Sequence, residues 1–228
     1  MRLVPGTLDR EIVWPELEFT LCTGASRDVI VGVGIEPHLR WKTYCRAVLD
    51  FAKELEVGLI VTLGALLAEV PHTRPVRLSG TTTDPELRAL LGARTSRYEG
   101  PTGIVGVLNT ICRERGMPTA SLWANVPHYI SGIENPKATL ALVKRVLTLL
   151  PASTDLSDLD EAVTQFDQNL AEIVSQNAKI AGYVTKLERA AKDDEEESTA
   201  AGGRQSDLPP ASELVAEIEQ FLRQQRPE

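Results

Sequence analysis

Two strand-length apolar runs constrain this chain most: VIVGVG at 29–34 and VGLIVTLG at 57–64, with an amphipathic stretch from Leu39 to Leu55 between them. A strand wetted on one face alternates apolar and polar residues, whereas a strand covered on both faces is apolar throughout. Tyr44, Val48, Phe51 and Leu55 recur at helical spacing, so the segment reads as strand, helix, strand. The pattern continues. After a short segment, Ala65 to Val70 and Pro71, RPVRLSG at 74–80 is a third strand candidate. Asp84 as N-cap with Pro85 at the first helical position starts a short helix. A helix from about Thr102 to Arg115 stops at Gly116, TASLWANV at 119–126 is a fourth strand, and Pro136 opens a helix that Pro151 ends near Leu150. Ahead of these, alternation on either side of Pro15 predicts two short strands at a sheet edge. Strands separated by helices predict a three-layer α/β/α sandwich with a mostly parallel sheet over residues 1–150.

Beyond Pro151 the period changes. Leu156, Leu159, Val163, Phe166, Leu170, Ile173, Asn177, Ile180, Val184 and Leu187 follow an unbroken 3-4 alternation, which predicts a helical extension or helical hairpin over 151–191. Asn177 is the one polar residue of that seam. It either fixes pairing register or marks a break between two helices. Residues 192–210 hold Asp193, Asp194 and Glu195 to Glu197 followed by Ser, Thr, Gly and Pro, the composition of a disordered linker. Residues 211–226 carry Leu214, Ile218, Phe221 and Leu222 as an apolar stripe on a final helix, which must dock on the chain's own body or on a partner.

Charge divides along the same line. Residues 1–150 hold 17 Lys plus Arg against 15 Asp plus Glu, whereas residues 151–228 hold 7 against 17. There is no basic stripe to release counterions, so a nucleic-acid partner is not expected. The longest apolar stretch, 57–68, is too short for a bilayer span, and the first residues lack a secretory signal. A cytoplasmic protein is therefore expected. Cys22, Cys45 and Cys112 are odd in number and far apart, which suits buried inert thiols better than disulfides or a metal site.

All three histidines follow a proline near a strand end, as Pro37-His38, Pro71-His72 and Pro127-His128. If the strands are parallel, the three rings share one edge of the sheet. Proline stiffens each exit loop, and an imidazole titrating near neutrality can act as acid, base or ligand. Loop histidines also commonly do no more than satisfy backbone carbonyls. Arg40, Arg74 and Arg77 lie near two of the loops, and the Ser79–Thr83 and Gly100–Gly103 runs open helices whose amides suit an anion, although Ser, Thr and Gly are ordinary turn residues. The candidate ligand-binding residues are His38, Arg40, His72, Arg74, His128 and Tyr129, with no metal and no cofactor expected. Val31-Gly32-Val33-Gly34 is not a dinucleotide fingerprint, and no phosphate-binding Gly-Lys-Ser/Thr loop or Gly-x-Ser-x-Gly elbow is present.

Five stretches together resemble the proteasome assembly chaperone 2 family in its actinobacterial branch: Glu36 to Trp41, LGALLAEVPHTRPV at 63–76, Gly100 to Ile104, SLWANVPHYISGIENPKATLALV at 121–143, and ASELVAEIEQFLRQQ at 211–225. The resemblance implies a three-layer fold similar to that of nucleoside phosphorylases and a noncatalytic role as a partner in protein assembly. It brings no accepted catalytic residues. Such proteins usually begin with a further strand and helix carrying a tryptophan, aspartate and glycine motif, and this sequence starts after it, as a fragment or a short gene model would. A sheet without that strand is expected to expose apolar surface and a bare edge. The two functional readings are a protein-interaction or assembly factor, acting with a protein partner or as a homo-oligomer, and a hydrolase or phosphorylase-like enzyme binding a small anionic or nucleoside-type ligand at the Pro-His loops.

Overall fold

The computed structural model describes residues 2, 3, 10–24, 27–82, 84–91, 94, 95, 100, 102–130, 132–150 and 154–198. Short strands β1 (Arg2–Leu3) and β2 (Arg10–Glu11) pair antiparallel, and β3 (Leu17–Cys22) forms an antiparallel ribbon with β4 (Val29–Gly34). Helix α1 (Trp41–Glu54) leads to β5 (Ile60–Ala68), and β6 (Leu78–Thr82) follows with no helix between. Then come α2 (Pro85–Leu91), β7 (Arg94–Thr95), α3 (Ile104–Glu114), β8 (Thr119–Pro127), a 3-10 turn at His128–Ile130, and α4 (Pro136–Leu147). Helices α5 (Ser157–Gln176) and α6 (Ala178–Ser198) complete the described chain.

The main sheet has the order β5-β8-β6-β7 and is mixed, not mostly parallel. Strand β8 runs parallel to β5 and antiparallel to β6, and β6 runs parallel to β7. The connection explains the reversal. A parallel return needs a crossover of a dozen or more residues, usually a helix, and the chain between Ala68 and Leu78 is too short to supply one. Strand β8 is the centre of the sheet. Its Ala120 and Leu122 pack with Leu142 and Val146 of α4, while Thr119 donates to Asn109 of α3 at 2.5 Å. Gly64 of β5 is open enough for the ring of Trp123, since a Cβ there would sit 2.6 Å from it.

Strand β4 departs from its apolar sequence. Among the described residues it pairs only with β3, and Val31 and Val33 are exposed. One face of the ribbon is occupied: Phe19 lies over Gly32, with its ring centroid 4.5 Å from that of Phe51 on α1. The other face carries no covering layer among the described residues, so the uniformly apolar run does not mark a strand buried on both sides.

The seam beyond residue 150 folds as two helices broken at Asn177. Its backbone is extended, and its side-chain Oδ1 accepts from the amides of Lys179 and Ile180, capping α6. Phe166, Leu170, Ile173, Ile180, Val184 and Leu187 then bury together with Tyr129 and Ile130, seating α5 and α6 on the turn after β8. Helix α6 continues to Ser198, beyond residue 192 where the acidic composition predicted a linker. The rest of that segment and the 211–226 helix lie outside the described residues.

Candidate functional site

Two of the three Pro-His loops meet. Parallel pairing of β5 with β8 in register Ala68↔Pro127 carries Pro71-His72 and Pro127-His128 to the same end of the sheet. His38 does not join them. It is exposed at the end of β4, which belongs to the separate ribbon, and the loop around it works as structure. Glu36 accepts from the Ile104 amide at 3.0 Å, and the Trp41 indole donates to the Pro37 carbonyl at 2.5 Å. Arg40 is exposed and takes left-handed backbone, φ 57°, as the N-cap of α1.

The helix starts read as anion sites are already occupied by carboxylates. Asp84 accepts from Glu86 and Leu87 at the start of α2, and Glu36 serves α3. A carboxylate at a helix N-terminus satisfies the amides and the dipole that would draw an anion. The amides of Glu86, Leu87 and Ile104 are therefore already satisfied.

Around Tyr129 the partners fix where each proton lies. The His72 amide donates to the Tyr129 hydroxyl at 2.8 Å, and the same hydroxyl lies 2.8 Å from His72 Nδ1. With no other acceptor for the hydroxyl proton among the described residues, Tyr129 donates to Nδ1, and neutral His72 carries its proton on Nε2. His128 has the opposite tautomer: Nδ1 donates to the Ala68 carbonyl at 3.2 Å, and Nε2 accepts from the Tyr183 hydroxyl at 3.1 Å. Tyr183 comes from α6, so this bond latches the helical hairpin to the sheet. The rings of Tyr129, His128 and Tyr183 meet edge to face at 5.7–5.9 Å. Both imidazole lone pairs are thus committed to tyrosines, which leaves neither ring as a ready base.

Burial dominates the electrostatics. It lowers the pKa of His72, helped by Lys137 and opposed by Asp167 and Glu188, and it raises that of Tyr129. It also pushes up the thiols of Cys45 and Cys112. The sign for His72 follows directly: the unfolded chain binds the proton at the ordinary value of 6.5, before the folded protein does. The stabilising contribution is therefore present above 6.5 and is lost as pH falls toward the folded value. We expect His72→Asn, which keeps an acceptor for Tyr129 but does not titrate, to flatten the fall in Tm measured below that pH. An unchanged slope would assign the acid sensitivity to other groups.

Beside this cluster lies a shallow depression, open to solvent, at the ends of β5 and β8. His72 and Arg74 line it, and so do Arg77, Asn125 and Lys137, which were not among the sequence candidates. Lys137 donates to the His72 carbonyl at 2.8 Å and pairs with Asp167 at 2.9 Å. Asn125 Oδ1 is sealed from solvent with no hydrogen-bond partner among the described residues. The signal for it was in the sequence: a polar amide in the otherwise apolar end of a buried strand needs a reason. Among the described residues, no three His, Cys, Asp or Glu side chains are grouped to hold a metal ion. No helix of the described residues is long and apolar enough to cross a membrane.

The family model of the PAC2 family matches residues 3–174. The chain belongs to the PAC2 family. A PAC2 family protein from Streptomyces avermitilis is 42% identical, with TM-score 0.70, over 80% of this chain and 77% of that one. A proteasome-assembly chaperone homologue from Mycobacterium tuberculosis is 40% identical, with TM-score 0.72, over 80% and 78%. An archaeal proteasome activator from Pyrococcus furiosus shares the fold at 22% identity and TM-score 0.56, over 75% of each chain. The search of curated proteins finds no match.

Proposed function

We propose that this PAC2 family chain is a noncatalytic assembly factor that binds proteasome subunits along the open edge of β5. The family match and the mycobacterial assembly-chaperone homologue carry the role, and the β5 edge is the surface proposed for it. Among the described residues strand β5 is the outer strand of its sheet, with Leu63, Leu66 and Leu67 exposed by 47%, 53% and 56%. Val31, Val33 and Ile35 on and after β4 are exposed as well. An unpaired strand with apolar side chains is a template for another chain, and apolar surface of this kind marks an interaction site. The relatives described as a proteasome-assembly chaperone homologue and a proteasome activator suggest the partner. A three-layer architecture of the nucleoside phosphorylase type, with the sheet edge as the meeting place, is consistent with this use. The enzyme alternative has less support, because both clustered imidazoles are occupied as acceptors and no nucleophile is activated beside them.

The test is sedimentation velocity of the protein mixed with separate proteasome α and β subunits, comparing wild type with a Leu63→Lys/Leu67→Lys variant. Both leucines share one face of β5, so two lysines there place charge in any new interface. We expect a complex with wild type and about a tenfold or greater loss of affinity in the variant at unchanged Tm. Equal binding by both proteins would refute this surface, and the absence of any complex with wild type would refute the partner. Self-association abolished by the lysines would instead give the edge to a second copy.

A further inference from the structure

We propose that residues 211–225 dock as a helix on the open face of β5 in their own chain, covering Leu63 and Leu67. The seat is defined by strand register. Val61, Leu63, Ala65 and Leu67 stand opposite Ala120, Leu122, Ala124 and Val126 of β8, so all of them share one face of the sheet. On that face Leu142 of α4 packs over Ala120, Leu122 and Ala124, and Val61 joins the same packing. Farther along β5 the cover stops: Leu63, Ala65 and Leu67 are exposed. Among the described residues the sheet thus carries a helix over β8 and an uncovered apolar row on the strand beside it. From Val61 to Leu67 that row runs about 20 Å.

The sequence supplies an occupant of that shape. Over 211–225 a helix gathers Leu214, Val215, Ile218, Phe221 and Leu222 on one side, with Glu213, Gln220 and Arg223 on the other. Such a helix is about 22 Å long, which matches the row, and it is marginal in water unless its stripe is buried. Its tether starts close by. Tyr183 of α6 bonds His128, which bonds the Ala68 carbonyl, so α6 passes the end of β5. From Tyr183 to Ser198 the helix axis advances about 22 Å, and residues 199–210 can bridge up to about 40 Å, enough to return to β5. A tether of that length holds the stripe at an effective concentration on the order of millimolar, which favours the same chain over a second copy at micromolar protein. The assembly reading supports one consequence, and only this consequence rests on it: the tail is an internal competitor that must lift before a partner seats on β5.

Hydrogen exchange of the full chain, with no proteasome subunits present, tests the contact apart from the assembly role. Amides of 214–225 are expected to exchange about tenfold or more slowly than in a free 211–225 peptide, at a rate independent of protein concentration. Leu63→Lys/Leu67→Lys should return them to the peptide rate while the amides of β8 keep their protection. The reciprocal variant, Ile218→Asp/Leu222→Asp, should raise carbene footprinting of Leu63 to Leu67 several-fold. Those substitutions leave every residue of the sheet unchanged, so a rise there reports the contact itself. Tail amides at the peptide rate in wild type, protection that survives the β5 lysines, or an unchanged footprint would overturn the proposal. Protection that grows with protein concentration would overturn it too, by giving the stripe to a second copy.

Discussion

Tyr129→Phe should lower the free energy of unfolding by about 2–4 kcal/mol, although it removes one oxygen atom from the protein. The hydroxyl is both acceptor for the His72 amide and donor to His72 Nδ1, and these groups are buried. Its loss orphans two polar groups, each costing about 1–3 kcal/mol, while the edge-to-face ring packing is kept. Urea denaturation would show it as a lower midpoint at unchanged slope. A midpoint within error of wild type would mean that water or a shifted loop replaces the oxygen, and that the loop is less rigidly held than its hydrogen bonds indicate.

Leu187→Ala is expected to cost about 3 kcal/mol and to act on a particular part of the molecule. Leu187 is 0% exposed on α6, in the cluster that seats α5 and α6 against Tyr129 and Ile130. The void left by truncation adds to the lost transfer energy, because helices held by a sheet and by each other collapse only partly around it. Hydrogen exchange resolves the location. Amides of α5 and α6 should lose protection more than those of β8, whose ladders to β5 and β6 the substitution does not touch. Uniform loss across the chain would mean that the hairpin and the sheet unfold as one unit.

How far the sequence anticipates this molecule depends on whether the signal is local. The Asp84 cap, the Pro136 helix start and strand β8 are written in neighbouring residues, and the structure places them within a residue or two of the expected bounds. Asn177 is similar: its amide can cap a helix that it begins, and it does so. The meeting of His72 with His128 follows from parallel pairing of their strands and was legible on that condition. The exclusion of His38 was not, because an apolar run such as VIVGVG states that a strand avoids water without stating which strand it pairs with. The reversal of β6 turns on the length of one loop. The orphaned oxygen of Asn125 depends on what covers the end of β8 in the folded chain, which the residues flanking it do not state.

The pairing of β5 with β8 also has a consequence for the order in which this protein can be assembled. Ile60 is matched with Thr119 and Ala68 with Pro127, so the ladder joins segments 59 positions apart. The β3–β4 ribbon is a local contact and can close early, whereas the central strand of the main sheet comes last among its strands. Closing so long a loop before its contacts reward it is slow, and until then β5 and β6 lack the strand that lies between them. On a ribosome, the leucines of β5 would emerge well ahead of their partner, and the interval before Thr119 to Pro127 arrive is when this chain is most exposed to aggregation.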